Sequence, residues 1–422
     1  MKSFKLLAAS AIAAASASLA LAATNPQVVT TGASQNATVI HISGSTAFRS
    51  AVTTSIRNLP WVGTMYFGGD SNAVGASHGI YLGQLAGTSK TWIVIKLSWS
   101  GSEGGIHAVA GTPAGFADPT NKFYDDSVVT GTAGQLSDTG TTLATALIDE
   151  IAAGDIALSD TFQSSSAYRS SNGYLSLADT KIGIVPFLWI GANGNDSVIN
   201  NLTHQQIKVA LSGKGFEKFW TGTNNGTTDN YQVVVVGRNE DSGTRVTAYQ
   251  ESGYGAGTAS QQYYPVGSSP YTGLVVAPAS VSLLGAVGNG GYSSGGTLSN
   301  VLADTSLTAF ANVIGYLGLS DAKANLVAGT ITPLPWEGVQ YFNSIVAGAP
   351  TYNDALVWNG KYTFWGYEHL MTRSPASADT AVVASAIVTR ITGATGDAAL
   401  SGYHLNQMTV KRDTDGSPVY NP

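Results

Sequence analysis

Cysteine is absent from this 422-residue chain, and charged residues make up only 11% of it. Without cysteine there is no disulfide framework, no thiolate metal site and no cysteine nucleophile. The few charges lean acidic, 20 Lys and Arg against 26 Asp and Glu, so no basic surface for nucleic acid is expected. The six histidines, at 41, 78, 107, 204, 369 and 404, have no close metal-ligand spacing, so no metal is expected. No Walker A motif and no G-x-G-x-x-G in a strand–helix setting occurs, so no nucleotide cofactor is expected either. Beyond the first 22 residues, no apolar run approaches the roughly 20 residues needed to span a bilayer. Gly75-Ala76-Ser77-His78-Gly79 spells G-x-S-x-G. Its surroundings are a glycine-rich loop rather than the strand-to-helix turn a hydrolase elbow needs.

What is present is a large folded core. Hydrophobic residues make up 43% of the chain and glycine contributes 50 positions, a composition of buried elements joined by many tight turns. Length alone implies two or three domains or one large two-lobed molecule. Residues 1–22, MKSFKLLAASAIAAASASLALA, carry Lys2 and Lys5, then a short soft apolar stretch, then Ala20-Leu21-Ala22. That is the pattern of a cleaved secretory peptide, so an exported protein in the periplasm, cut near Ala22, is expected.

From residue 38 the pattern repeats as strand, Gly/Ser turn, helix. Ala37–Ser43, Trp92–Trp99, Asp155–Ser159, Ile182–Ile190 and Tyr231–Val236 read as strands, several of them continuous apolar runs suited to a parallel sheet buried on both faces. Thr203-x-x-Gln206 is a capping box that opens a helix. Further helices are expected near Ala47–Ile56, Thr142–Ala153, Thr297–Ala303 and Ala376–Ile391. The pattern predicts α/β lobes with parallel sheets.

Four strand ends carry chemistry: Ser45-Thr46-Ala47, Gly101-Ser102, Asp160, and Arg238 followed by Ser242-Gly243-Thr244. Ligands of open α/β sheets collect at such ends. Helix N-termini there offer free N–H groups, hydroxyls add donors, and an arginine supplies a fork for a tetrahedral oxyanion. Taken singly, each turn also reads as an ordinary helix cap or ion pair. An aspartate repels an anion unless the anion brings a proton, because a carboxylate only accepts hydrogen bonds. Monohydrogen phosphate has such a proton; sulfate has none.

In that order, Ile42-Ser43-Gly44-Ser45-Thr46-Ala47-Phe48, Ser100-Gly101-Ser102-Glu103-Gly104-Gly105, Gly154–Asp160 and Arg238-Asn239-Glu240-Asp241-Ser242-Gly243-Thr244 resemble the PstS family of periplasmic phosphate-binding proteins. The resemblance is spread over most of 38–370. It implies a type 2 periplasmic binding protein fold: two lobes, each a mainly parallel sheet flanked by helices, joined by two crossing hinge strands. Lobe one would comprise 35–185 and 322–422, and lobe two 190–316. It also implies inorganic phosphate held by Ser45, Thr46, Ala47, Ser102, Asp160, Arg238, Ser242, Gly243 and Thr244, with Glu240 as the acidic partner of Arg238. The implied protein is not an enzyme; it is a monomer that hands its ligand to the membrane permease of an ABC importer. Arg49, His107 and Asp241 depart from the family pattern, and 61–90 and 108–142 read as insertions. The open alternatives are another oxyanion (arsenate, sulfate, molybdate) or a structural or adhesive surface protein that has kept the fold.

Overall fold

A computed structural model describes residues 36–111, 121–130, 135–223, 231–279, 286–393 and 404–422. The expected export signal at 1–22 and part of the 108–142 insertion lie outside these residues. The chain opens with β1 (Ala37–Gly44), α1 (Arg49–Arg57), β2 (Tyr66–Gly69), β3 (His78–Gly83), β4 (Trp92–Ser98) and α2 (Ser102–Ala110). Next come β5 (Lys122–Tyr124), α3 (Ser127–Thr130), β6 (Thr141–Thr142), β7 (Ile148–Ile151), β8 (Ile156–Ser159) and the long β9 (Ala178–Gly191). The middle comprises α4 (His204–Leu211), α5 (Lys218–Thr221), β10 (Val233–Val235), α6 (Gly243–Glu251), β11 (Tyr263–Pro265), β12 (Leu274–Val276), α7 (Gly295–Leu302) and β13 (Asn312–Gly318). The chain ends through α8 (Leu319–Ala328), β14 (Thr332–Leu334), β15 (Phe342–Val346), β16 (Ala349–Tyr352), α9 (Asp354–Trp358), β17 (Trp365–Thr372) and α10 (Ala378–Thr392).

Eleven strands join in one sheet, in the order β10-β13-β9-β17-β8-β1-β4-β3-β2-β6, with β14 also on β9. The parallel pairing expected from the apolar runs forms two cores, β8-β1-β4 and β10-β13. The rest of the sheet is largely antiparallel: β2, β3 and β4 pair with one another that way, and β17 pairs that way with β8 and β9. The sheet is therefore mixed, because β17 returns from the far end of the chain to fill the place between β8 and β9.

β9 serves both parallel cores. Its first part pairs with β17, and Phe187–Gly191 pairs antiparallel with Gly318–Ile314 of β13. Trp189 packs there against Phe364, Trp336 and Tyr316 at ring-centroid distances of 5.0, 5.5 and 5.7 Å. This fully buried aromatic cluster adds packing to the hydrogen-bonded β9–β13 ladder.

Thr142–Ala153 does not form the expected helix. It folds as a single 3-10 turn and then β7, which pairs antiparallel with β5. The strand form lets Glu150 reach inward to Lys96 and His41. Lys96 is fully buried in β4 and also pairs with Asp126 at 2.6 Å. Leaving that ammonium unpaired would cost far more than the local helix preference of a few residues. Helix α4 begins as the capping box predicts, with the Thr203 side chain accepting from the Gln206 N–H and Gln206 reaching back.

Candidate anion site

The turn after β1 is shaped by Gly44, whose φ of 142° suits only glycine. A Cβ there would fall 1.9 Å from the Leu158 carbonyl oxygen. The chain therefore passes hard against the end of β8, and the Ser45 N–H donates to that same carbonyl at 2.8 Å. Ser45 is buried with its hydroxyl unpartnered, Thr46 is half-buried and Ala47 is buried. Helix α1 follows without a side-chain cap on its first turn.

The second turn does the same with Gly101, at φ 105°. Helix α2 begins directly at Ser102, again without a side-chain cap. Its second residue, Glu103, donates its N–H to the carbonyl of Asp241 at 3.1 Å, so the second and fourth turns touch. The Ser102 hydroxyl donates to the carboxylate of Asp160, and the Asp160 N–H donates back to Ser102 Oγ at 3.2 Å. Asp160 is buried at the end of β8, and burial pushes its carboxyl up to about 6 despite the Ser102 hydrogen bond and the Arg238 charge.

The fourth turn leaves β10 through Gly237 and Arg238. Arg238 is buried; its Nε donates to the Tyr292 carbonyl at 3.0 Å and its Nη2 to the Ser293 carbonyl at 2.8 Å, while Nη1 has no partner. Ser242 caps α6 by accepting from the Arg245 N–H at 3.4 Å, so its hydroxyl is engaged as a cap. Gly243 comes against both other turns: a Cβ on it would lie 1.6 Å from Asp160 Oδ1 and 2.6 Å from Ser102 Oγ. Thr244 is buried in the same helical turn.

Three of the turns thus meet directly at Ser102, Asp160 and Gly243, and the first lies alongside through Gly44, 2.6 Å from where a Gly105 Cβ would stand. Glu240 accepts a hydrogen bond from Asn289. The carboxylates whose charges act on Arg238 are Asp321 and then Asp160, against a larger effect of burial that lowers its pKa. Arg245, which sequence reasoning passed over, is buried and donates to the carbonyls of Arg238 and Asn289 at 3.1 and 2.6 Å. It holds the Arg238 backbone in place. His107 stacks on Tyr168 with ring centroids 4.3 Å apart, a packing role.

Three acids, two buried and one half-buried, went unnoticed in the sequence. Glu103 accepts from Ser166 Oγ, the Ala167 N–H and Thr161 Oγ1 at 2.6, 3.1 and 3.2 Å, yet burial still pushes it up to about 7. Glu368 of β17 is fully buried beside Ser45 and Asp160, neither oxygen makes a normal hydrogen bond, and burial drives its carboxyl well above the usual range. Asp321, in the first turn of α8, has a buried unpartnered Oδ2. Glu368 and His369 interrupt the otherwise apolar run Trp365–Met371, a pattern that does not tell which site either one faces. Among the described residues no cluster of histidine and carboxylate side chains could hold a metal, and no helix is long and apolar enough to cross a membrane.

No family model matches the chain, and no curated protein matches it. Solved structures do align with it over most of its length. A phosphate ABC transporter substrate-binding protein of Clostridium perfringens, solved with bound phosphate, is 15% identical with a TM-score of 0.41, covering 82% of this chain and 91% of its own. An ABC-type phosphate transport receptor of Vibrio cholerae is 12% identical with a TM-score of 0.41, covering 83% and 93%. A phosphate-binding protein of Stenotrophomonas maltophilia is 15% identical with a TM-score of 0.39, covering 86% of both chains. The chain is a mixed α/β protein that resembles phosphate-binding proteins of this kind.

Proposed function

We propose that this protein binds inorganic phosphate, without chemical turnover, in a cleft between two lobes comprising 35–185 with 322–422, and 190–316. The observation that carries the reading is the meeting of Ser102, Asp160 and Gly243 from three separate turns beside buried donors that make no geometric hydrogen bond within the described residues, Ser45 Oγ next to Glu368 and Arg238 Nη1 next to Asp321. Buried donors without partners are costly unless a ligand satisfies them. The first turns of α1, α2 and α6 add backbone N–H groups to the same place. Asp160 accepts the proton of the bound anion, and Thr46, Ala47, Ser242 and Thr244 complete the cradle. β9 and β13 act as the hinge, so that only the closed form makes both sets of contacts.

The sequence pattern of residues 1–22 supports export to the periplasm, and delivery to an importer permease as a monomer follows from the resemblance. The test is calorimetry of the purified chain with phosphate, arsenate, sulfate and molybdate, beside Arg238→Ala. Phosphate and arsenate are expected to bind and to compete, and R238A to weaken phosphate by about 2–5 kcal/mol, the range for truncating a buried charged partner. An R238A affinity within twofold of the wild type refutes the assignment.

A further inference from the structure

Two carboxylates act on the charge of Arg238, Asp321 first and then Asp160. Asp321 enters from the first turn of α8, just after the crossing strand β13. Its buried Oδ2 lies 1.9 Å from where a Cβ on Gly295 would stand, and Arg238 Nη1 lies 3.1 Å from the same point. Gly295 opens α7, so Asp321 is set against the positive end of that helix. A Cβ on Gly318 would stand 3.7 Å from the same Asp321 oxygen and 3.6 Å from the Ala47 Cβ. A helix N-terminus, the free nitrogen of a buried arginine and the first anion turn therefore meet around one carboxylate. Arg49 adds a further positive charge that acts on both Asp321 and Arg238.

These are the features that attract an anion, and here the anion is supplied by the chain itself. We infer that Asp321 fills a second anion position adjoining the phosphate cradle, and so restricts the site to ligands carrying a single phosphoryl group. This inference rests on the phosphate reading. A phosphate held by Ser102, Asp160 and Gly243 leaves Asp321 undisturbed. A diphosphate held by the same cradle and reaching along Arg238 toward Nη1 sets its second phosphoryl group beside the buried Oδ2 of Asp321, where like charges repel. Gly295 has the same logic from the other side: any side chain there would displace the carboxylate.

The experiment measures phosphate and inorganic pyrophosphate affinities for the wild type, Asp321→Asn and Asp321→Ala by calorimetry, with thermal melting to confirm folding. The wild type is expected to prefer phosphate by at least 100-fold. In both variants the pyrophosphate-to-phosphate affinity ratio is expected to rise at least tenfold, and D321N, nearly isosteric, decides the matter should D321A fail to fold. A ratio that stays fixed while both affinities rise together makes Asp321 a mere counter-ion of Arg238 and overturns the inference. So does a wild type that takes both ligands equally well. A wild type that binds neither anion overturns the phosphate reading itself, a result distinct from an unchanged ratio.

Discussion

Raising the pH from 6 to 8 is expected to widen the preference for phosphate over sulfate about tenfold per unit, and Asp160→Asn is expected to abolish that dependence. Burial of Asp160 pushes its carboxyl up to about 6 against the Ser102 hydrogen bond and the Arg238 charge. Phosphate presents a proton to the ionised carboxylate and binds it as it stands. Sulfate has no proton to offer, so its lowest-cost route is to bind with Asp160 protonated and donating. At pH 7 that protonation costs about 1.4 kcal/mol, since one pKa unit is worth that much. Asp160 therefore contributes only about tenfold of anion selectivity at pH 7, about a hundredfold at pH 8, and little at or below pH 6.

This bound is smaller than a rigid carboxylate–sulfate repulsion of several kcal/mol would give, because a raised pKa opens the protonated route. The assay is competition binding of the two anions to wild type and D160N at pH 5, 6, 7 and 8. The asparagine can still accept the Ser102 hydrogen bond and can donate to either anion, so its ratio is expected to be flat. A flat ratio in the wild type, or a D160N ratio that keeps the wild-type slope, refutes the role given to Asp160.

Gly243→Ala places a methyl group 1.6 Å from Asp160 Oδ1 and is expected to cost at least tenfold in phosphate affinity by calorimetry; unaltered binding would mean the two turns are not in contact when the ligand is held. Lys96→Met removes the buried ammonium paired with Asp126 and Glu150. Both carboxylates reach solvent in part, so a loss of about 1–3 kcal/mol in urea unfolding is expected, below the cost of breaking a fully buried pair. Glu103, raised to about 7, and Asp160, raised to about 6, bind protons more tightly folded than unfolded. Their share of ligand-free stability is therefore full below about pH 4 and is lost, by a few kcal/mol between pH 5 and pH 8, as pH rises through 6 and 7. His41 adds the same sign: burial pulls its pKa down, but hydrogen bonds to Asp155 and Glu150 raise it overall, so its contribution also fades as pH rises. Urea midpoints that climb steadily from pH 5 to pH 8 would contradict this balance.

What the sequence made legible was local. β1, β4, β8, the capped start of α4 and the glycine turns each depend on a few adjacent residues, and each stands where the pattern put it. Thr142–Ala153 was misread because its apolar spacing fits a helix as well as a strand, and the deciding partner, Lys96, lies some fifty residues away. The pairing of Arg238 was misread for a similar reason. Glu240 is two residues along, but Asn289 donates to Glu240 while Tyr292 and Ser293 take the guanidinium. Glu368 was out of reach altogether, since its approach to Asp160 requires β17 to enter the sheet beside β8.

The acids, foreseen and unforeseen, change how such a site works. Asp160, Glu368 and Asp321 crowd the same region as Arg238 and Arg49, so the cradle is not a positive pocket that collects anions by net charge. On the phosphate reading, attraction comes from directed donors: backbone N–H groups at helix starts, the Ser45 hydroxyl and Arg238 Nη1. Donors of that kind act at contact distance and in fixed directions, whereas net charge acts on every anion alike. Acceptor-only carboxylates set among them then penalise any anion that cannot return a proton or that brings a second charged group. On that reading affinity and discrimination are divided between different residues, the donors at the helix starts and the acids at the ends of β8 and β13. Each can be altered without dismantling the other.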